Sequence, residues 1–199
     1  MTGVIIFALL FALLLTGTPI SIALGMAVLT YLFTLSNIPI EIITQKLFTG
    51  LDNFAVMAVP FFILSGVLLT EGGVATRIIR FAVALVGWMR GGLAMAAVLS
   101  CTFFAAVSGS SPATVVAIGS IMLPAMLKHG YSKKFSVGVL ATSGSVGILI
   151  PPSIVMVIYA VSTRESVGKL FAAGGVPGLL MSASLMLVTY IVARRKGFP

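Results

Sequence analysis

Two short runs of hydroxyl residues and glycines, each leading into proline, hold the residue types in this sequence best suited to binding chemistry. The first is Ser108-Gly109-Ser110-Ser111-Pro112-Ala113-Thr114, and the second runs from Ser143-Gly144-Ser145 through Gly147 to Pro151-Pro152-Ser153. Hydroxyls and main-chain carbonyls are oxygen ligands for a hard cation, and the first N–H groups of a helix are donors for an anion. Ser111 before Pro112 is a helix-start signal, with Ser111 as the cap and Pro112 at the first helical position. A helix over 113–127 then points its positive end at the first cluster, and a helix over 91–107 ends there with free carbonyls. In the second cluster Gly144 and Gly147 permit unwinding, and two prolines forbid a continuous helix. The candidate binding residues are therefore Ser108, Gly109, Ser110, Ser111, Thr114, Ser143, Gly144, Ser145, Gly147, Pro151, Pro152 and Ser153. Segments 91–127 and 135–163 contain no Asp, Glu, Lys or Arg, so a proton relay has no carrier there. Na⁺ held through Ser108, Ser110 and Ser145 is the expected coupling ion, and no other cofactor is expected.

Other chemistries find less support. The single histidine, His129, stands in Lys128-His129-Gly130-Tyr131 and reads as a solvated loop residue, so a Ser/His/Asp triad has no base within a span. Cys101 is the single cysteine, which excludes an internal disulfide and a cysteine-based metal site. Isolated small residues such as Gly25, Gly66, Ser100 and Ser136 are expected to be packing surface.

The elements that must position these clusters follow from composition. Of 199 residues 59% are hydrophobic and 8% charged, against about 25% charged in soluble domains. This is the composition of an all-α integral membrane protein. The net charge of +8 comes from thinly spread residues without a basic, aromatic-interleaved stripe, so nucleic acid is not an expected partner and the lipid bilayer is. The charges fall in five stretches, 36–53, 71–90, 128–134, 164–169 and 194–196, because a charge at mid-bilayer costs at least about 2.5 kcal/mol. Between them, 54–70 and 170–193 are ordinary spans of about 20 residues. Runs 4–35, 91–127 and 135–163 are too long for one crossing, and each contains a breaker: Gly17-Thr18-Pro19 and the two clusters above.

The positive-inside rule makes 128–134 and 194–196, each +3, cytoplasmic, together with Arg77, Arg80 and Arg90. Run 91–127 then begins and ends on one side, as a re-entrant helical hairpin with Ser108–Pro112 at its tip. Run 135–163 crosses outward as a discontinuous helix, 164–169 is external, and 36–53 is an external acidic loop. Segment 77–90 lies along the interface with Trp88 as an anchor. Irregular backbone in hydrocarbon survives only against protein or a water-filled cavity. The two breaks are therefore expected side by side, with Ser143, Ser145 and Ser153 facing the hairpin tip.

Three segments, Phe54-Ala55-Val56-Met57-Ala58-Val59-Pro60-Phe61-Phe62-Ile63-Leu64-Ser65-Gly66, Val107-Ser108-Gly109-Ser110-Ser111-Pro112-Ala113-Thr114 and Gly147-Ile148-Leu149-Ile150-Pro151-Pro152-Ser153, resemble the large permease subunit of tripartite ATP-independent periplasmic (TRAP) transporters. The resemblance runs from Gly17 to Pro199. It implies an elevator-type transporter built of two inverted halves, of which this chain matches the first. It divides the chain into scaffold-like helices (1–70), a cytoplasmic interfacial arm helix (71–90), a transport core (91–163, with hairpin 91–127 and discontinuous helix 135–163) and 164–199, which holds the external loop, the returning helix and the start of a cytoplasmic linker. It implies Na⁺-coupled uptake of an organic acid, such as a C4-dicarboxylate or a sialic acid, by a multi-pass protein of a bacterial or archaeal inner membrane. The implied partners are a periplasmic substrate-binding protein, a small membrane subunit and the second half of the permease. No enzymatic activity is implied. A passive channel lined by the Ser/Gly clusters and a structural membrane subunit are the competing expectations.

Overall fold

The computed structural model describes residues 2–35 and 39–198. It divides into two compact units, Met1–Asp52 and Asn53–Pro199. No strand occurs among the described residues.

The first unit contains α1 (Thr2–Leu15), α2 (Ile20–Leu35) and α3 (Ile40–Leu51). The break between α1 and α2 falls at the expected Gly17-Thr18-Pro19. Gly17 takes a left-handed φ of 81°, and the Leu13 carbonyl accepts the Thr16 N–H together with the Thr16 and Thr18 hydroxyls. Ala23 and Ala27, one turn apart, are buried against α1, while Gly25 is exposed with no atom within 4 Å of an added Cβ. The packing role expected of Gly25 is not seen within this unit. The acidic segment 36–53, expected as a loop, is mostly helix. Pro39 precedes α3 and Glu41 sits in its first turn, both of which favour a helix start. Residues 36–38 lie outside the described residues.

The second unit contains α4 (Phe54–Glu71), α5 (Val74–Val86), α6 (Gly92–Ser108), α7 (Ser111–Lys128), α8 (Lys133–Gly144), a short 3-10 helix (Ser145–Ile148), α9 (Ile154–Thr163) and α10 (Val167–Arg195). α4, α7 and α10 are long and apolar enough to cross a membrane. Asn53 caps α4 by accepting the Ala55 N–H. α5 is amphipathic: Ala75, Ile79 and Ala82 are buried, with Arg77 and Arg80 exposed opposite them. Its buried face packs on α6, whose Ala94, Ala96, Ala97 and Val98 are fully buried. Small side chains let helix backbones approach closely, and this is the main source of association energy where lipid is as apolar as the core. Phe104 of α6, Ile118, Met122 and Met126 of α7, and Val139 and Leu140 of α8 complete that core.

α10 serves as a ruler for the unit. Its 29 residues extend roughly 43 Å at ~1.5 Å per residue. α6 runs antiparallel to it: Gly91 meets the Ala193 methyl, and Thr102 Oγ1 lies 2.6 Å from Ser182 Oγ, eleven residues further on in one helix and eleven back in the other. At the Ala193 end the Tyr131, Phe135 and Phe198 rings pack together with centroids 5.0–6.1 Å apart. Backbone N–H groups of Ala94 and Leu93 donate to the Tyr131 hydroxyl, and burial holds its pKa above the ordinary value, so the phenol stays neutral. The segments around 91, 131 and 198 thus share one end, while Arg164, three residues before α10, lies at the other. Single cysteines at Lys133 and Arg164 in a Cys101→Ala background are accordingly expected to react with impermeant reagents from opposite faces of the membrane. Reaction of both from one face would refute this topology.

Candidate functional site

The turn between α6 and α7 is two residues long. Gly109 closes α6 in the left-handed conformation (φ 63°), its N–H bonding the Ala105 carbonyl at 3.0 Å. Ser110 then turns extended (φ −128°, ψ 120°) and caps α7, its Oγ accepting the Ala113 N–H at 3.4 Å. The cap is therefore Ser110, one residue before the expected Ser111, and Ser111 and Pro112 form the first helical turn. The cap position needs extended backbone and a side-chain oxygen in reach of the third helical N–H, and Ser110 supplies both.

Inside the turn the hydroxyls are connected. Thr114 Oγ1 donates to the Ser110 carbonyl at 2.8 Å, which uses its one proton. Ser108, 3.1 Å away, is left to donate to Thr114 Oγ1. Ser108 and Thr114 are fully buried, whereas Ser110 and Ser111 are half-buried.

The second cluster breaks the helix where expected. α8 ends at Gly144, the chain tightens into 3-10 geometry over Ser145–Ile148, and it is non-helical from Ile150 to Ser153 before α9. Ser153 is fully buried and caps α9, its Oγ accepting the Met156 N–H at 3.4 Å. The two breaks lie against each other. Ile154 N–H donates to the Gly109 carbonyl at 3.0 Å. A Cβ on Gly109 would lie 2.8 Å from the Pro152 carbonyl oxygen, and one on Gly147 would lie 3.4 Å from Ser111 Cα. Gly144 is pressed against the Val115 side chain. The glycines and Pro152 make the close approach, and the expected orientation of the serines is not what brings the segments together. Ser143 Oγ donates back to the Val139 carbonyl at 2.6 Å, and Ser145 Oγ to the Thr142 carbonyl at 2.7 Å. Pro151 is half-buried beside them.

Four helix ends consequently meet at one place. α6 and the α8/3-10 segment bring carbonyl ends, which are negative, and α7 and α9 bring N–H ends, which are positive. The break packs on α10: a Cβ on Gly178 would lie 2.8 Å from Ile150 Cγ1, and one on Gly174 would lie 2.7 Å from the Leu149 carbonyl oxygen. Gly178 lies eleven residues into α10, roughly 16 Å from its start, so the site stands beside the middle third of the longest span.

Sequence reasoning missed two neighbours of this site. Gly66 of α4, expected to be generic packing, packs on the tip itself, where its added Cβ would lie 3.4 Å from Ser108 Cβ. Glu71, placed in a loop by its charge, lines a cavity of about 340 Å³ with Gly66, Thr70, Pro112, Ala113 and Val116, beside the first turns of α7. The single glycine of α4, one turn before Thr70 in a mostly bulky helix, was the available signal. Ser136, expected as packing, is buried and donates to the Ser132 carbonyl, and the buried Ser100 Oγ has no partner among the described residues. His129 is exposed at the end of α7, its ring nitrogen 2.8 Å from the Ala125 carbonyl, as a loop residue should be. No group of three or more His, Cys, Asp or Glu occurs among the described residues in an arrangement that would hold a metal ion.

Comparison with known proteins assigns the fold to a family. Residues 7–199 match the family described as "Tripartite ATP-independent periplasmic transporter, DctM component". The C4-dicarboxylate TRAP transporter large permease protein DctM of Rhodobacter capsulatus is 56% identical, over 100% of this chain and 48% of that protein. The protein of the same name from Vibrio cholerae is 50% identical, over 100% of this chain and 44% of that protein. The isethionate TRAP transporter permease protein DctMQ of Oleidesulfovibrio alaskensis is 44% identical, over 85% of this chain and 27% of that protein. The chain spans about half the length of the first two relatives and is covered by each of them over its whole length. With a match over nearly its whole length and these identities, the chain belongs to the DctM family of TRAP transporter large permeases.

Proposed function

We propose that this chain forms the first half of a Na⁺-coupled, binding-protein-dependent permease that imports a small organic acid, and that the 108–114 turn with the 143–153 break is its half of the substrate and ion site. The observation that carries this reading is the meeting of four helix ends beside the middle of α10. Paired positive and negative helix ends in lipid offer donors to a carboxylate and oxygens to Na⁺ without any ionised side chain. Ser108, Ser110 and Ser145 are the hydroxyl ligands in this reading, Thr114 holds the Ser108 hydroxyl in place, and Ser111 with the N–H ends of α7 and α9 is turned to the anion. The hairpin α6–α7 is re-entrant, and the end bearing residues 128–134 and 194–196 faces the cytoplasm of a bacterial inner membrane. A periplasmic substrate-binding protein delivers the acid, a small membrane subunit joins the scaffold, and a second half of the permease completes the site. The relatives named for C4-dicarboxylates make that class the first to test.

The test is uptake of a labelled C4-dicarboxylate by proteoliposomes containing the intact permease and its partners. Thr114→Val keeps the side-chain shape and removes the hydroxyl that links Ser108 to the Ser110 carbonyl. It is expected to raise the half-saturating Na⁺ concentration at least about tenfold, the equivalent of about 1.4 kcal/mol, while Thr114→Ser retains the wild-type value. An unchanged Na⁺ dependence in Thr114→Val would remove the tip from the ion site. Uptake without substrate-stimulated exchange would replace the carrier with a passive pore.

A further inference from the structure

The basic end of the second unit carries a feature that transport by the helix-end site does not use. Seven cationic side chains, Arg90, Lys128, Lys133, Lys134, Arg194, Arg195 and Lys196, are all exposed, and none has an ion-pair partner among the described residues. They come from three separated segments, drawn together by contacts that are themselves buried. The Tyr131 ring stacks on Phe135 and packs at a tilt against Phe198, and its hydroxyl is held by the backbone at the start of α6. Gly197 (φ 67°) turns the chain after α10 so that Phe198 N–H bonds the Ala193 carbonyl at 3.0 Å and its ring reaches that stack. Of the four acidic residues, Glu41, Asp52 and Glu165 fall in other stretches, and Glu71, although it shares the 71–90 stretch with Arg90, ends α4 beside the first turns of α7. Like charges gathered at one end repel one another, so the arrangement favours an anionic partner that neutralises them.

Two further observations identify the partner's chemistry. Between α5 and the start of α6 opens a mostly apolar cavity of about 250 Å³ lined by Val83, Gly87, Leu93, His129 and Tyr131, and Lys128 immediately precedes His129 in the chain. Trp88 stands exposed next to it, its indole N–H donating to the Leu85 carbonyl. An exposed tryptophan at the end of membrane helices marks the headgroup level. A basic rim over an apolar pocket at that level has the two parts of an anionic phospholipid: phosphate outside, glycerol and acyl chain within. We infer that this end is a binding site for anionic phospholipid, with the phosphate held by the Lys128–Lys134 and Arg194–Lys196 clusters and the upper acyl chain in the Val83–Leu93–Tyr131 cavity. The site ties the hairpin base to the end of α10 through the lipid that both clusters share.

The experiment is a titration of the purified intact permease in detergent with dioleoylphosphatidylglycerol or dioleoylphosphatidylcholine, read by native mass spectrometry and by thermal unfolding. The expected result is selective retention of phosphatidylglycerol with a rise in Tm. Lys128→Gln/Lys133→Gln/Lys134→Gln should weaken that binding on the order of 100-fold, since each surface cation contributes about a factor of five or more. Arg164→Gln/Lys169→Gln, at the other end of α10, should leave it unchanged. The triple variant replaces exposed side chains only, and its Tm in phosphatidylcholine reports whether it is folded. Equal retention of the two lipids, or full retention of phosphatidylglycerol by the triple variant, would overturn the proposal. A Tm rise reproduced by inorganic phosphate would also overturn it, by showing a free-anion site in place of a lipid site.

Discussion

Gly109→Ala in the intact permease is expected to reduce uptake at least about tenfold while the protein still inserts in the membrane. Gly109 holds φ at 63°, and a non-glycine residue in the left-handed region costs roughly 1–2 kcal/mol. The larger effect is steric. The added Cβ would lie 2.8 Å from the Pro152 carbonyl oxygen and 3.7 Å from the Ile154 nitrogen, so it meets backbone, which cannot rotate aside as a side chain can. Relief requires the hairpin tip and the break to part, which strains the bond from Ile154 N–H to the Gly109 carbonyl. Gly130→Ala separates the two causes. Gly130 has a φ of 83° but no atom within 4 Å of its added Cβ, so this variant carries the conformational strain alone. It should retain most of the uptake. Equal losses in the two variants would show that backbone strain, and not contact between the two breaks, sets the effect.

Gly174→Val should destabilise the protein by roughly 1–3 kcal/mol, the range for forcing extra volume into a packed contact. Its Cβ would lie 2.7 Å from the Leu149 carbonyl oxygen and against the Met156 thioether. Methionine can yield, but the carbonyl belongs to the tight turn that closes the 3-10 segment, where the Leu149 N–H bonds the Val146 carbonyl at 3.0 Å. The neighbouring Gly175 has open space around its Cβ position, so Gly175→Val should change stability by no more than about 0.5 kcal/mol. Thermal unfolding of the two variants in detergent checks the pair. Similar Tm values would mean that α10 does not bear on the break as the packing indicates.

Much of this protein was legible in one dimension, for identifiable reasons. Charge is excluded from hydrocarbon, so most of the Lys, Arg, Asp and Glu positions marked ends of the helices of the second unit, while Arg77 and Arg80 stand on the exposed face of the amphipathic α5. Proline removes a backbone donor and glycine tolerates left-handed backbone, so 17–19, 108–112 and 143–153 announced themselves as breaks. Those constraints act on each residue alone or with its close neighbours. Segment 36–53 escaped them, because its charges suggested a loop while Pro39 and Glu41 start a helix there.

What tertiary structure decided is the direction in which each small residue faces. Gly66 and Gly25 are equivalent in sequence terms, yet one lies on Ser108 of the tip and the other is exposed. By spacing Ser143 and Ser145 should face the hairpin tip, but their hydroxyls bond carbonyls of the preceding turn, and Gly144 and Gly147 make the contact. The pairing of Thr102 with Ser182 and the gathering of Arg90, Lys134 and Lys196 at one end join residues far apart in the chain. A hydroxyl on a membrane helix has two ways to satisfy itself, its own helix or a neighbour, and they differ by little free energy. Composition and spacing therefore determined the breaks and the polarity of the helices that flank them, while the choice among partners of similar energy was made by which backbones could approach closely enough to meet.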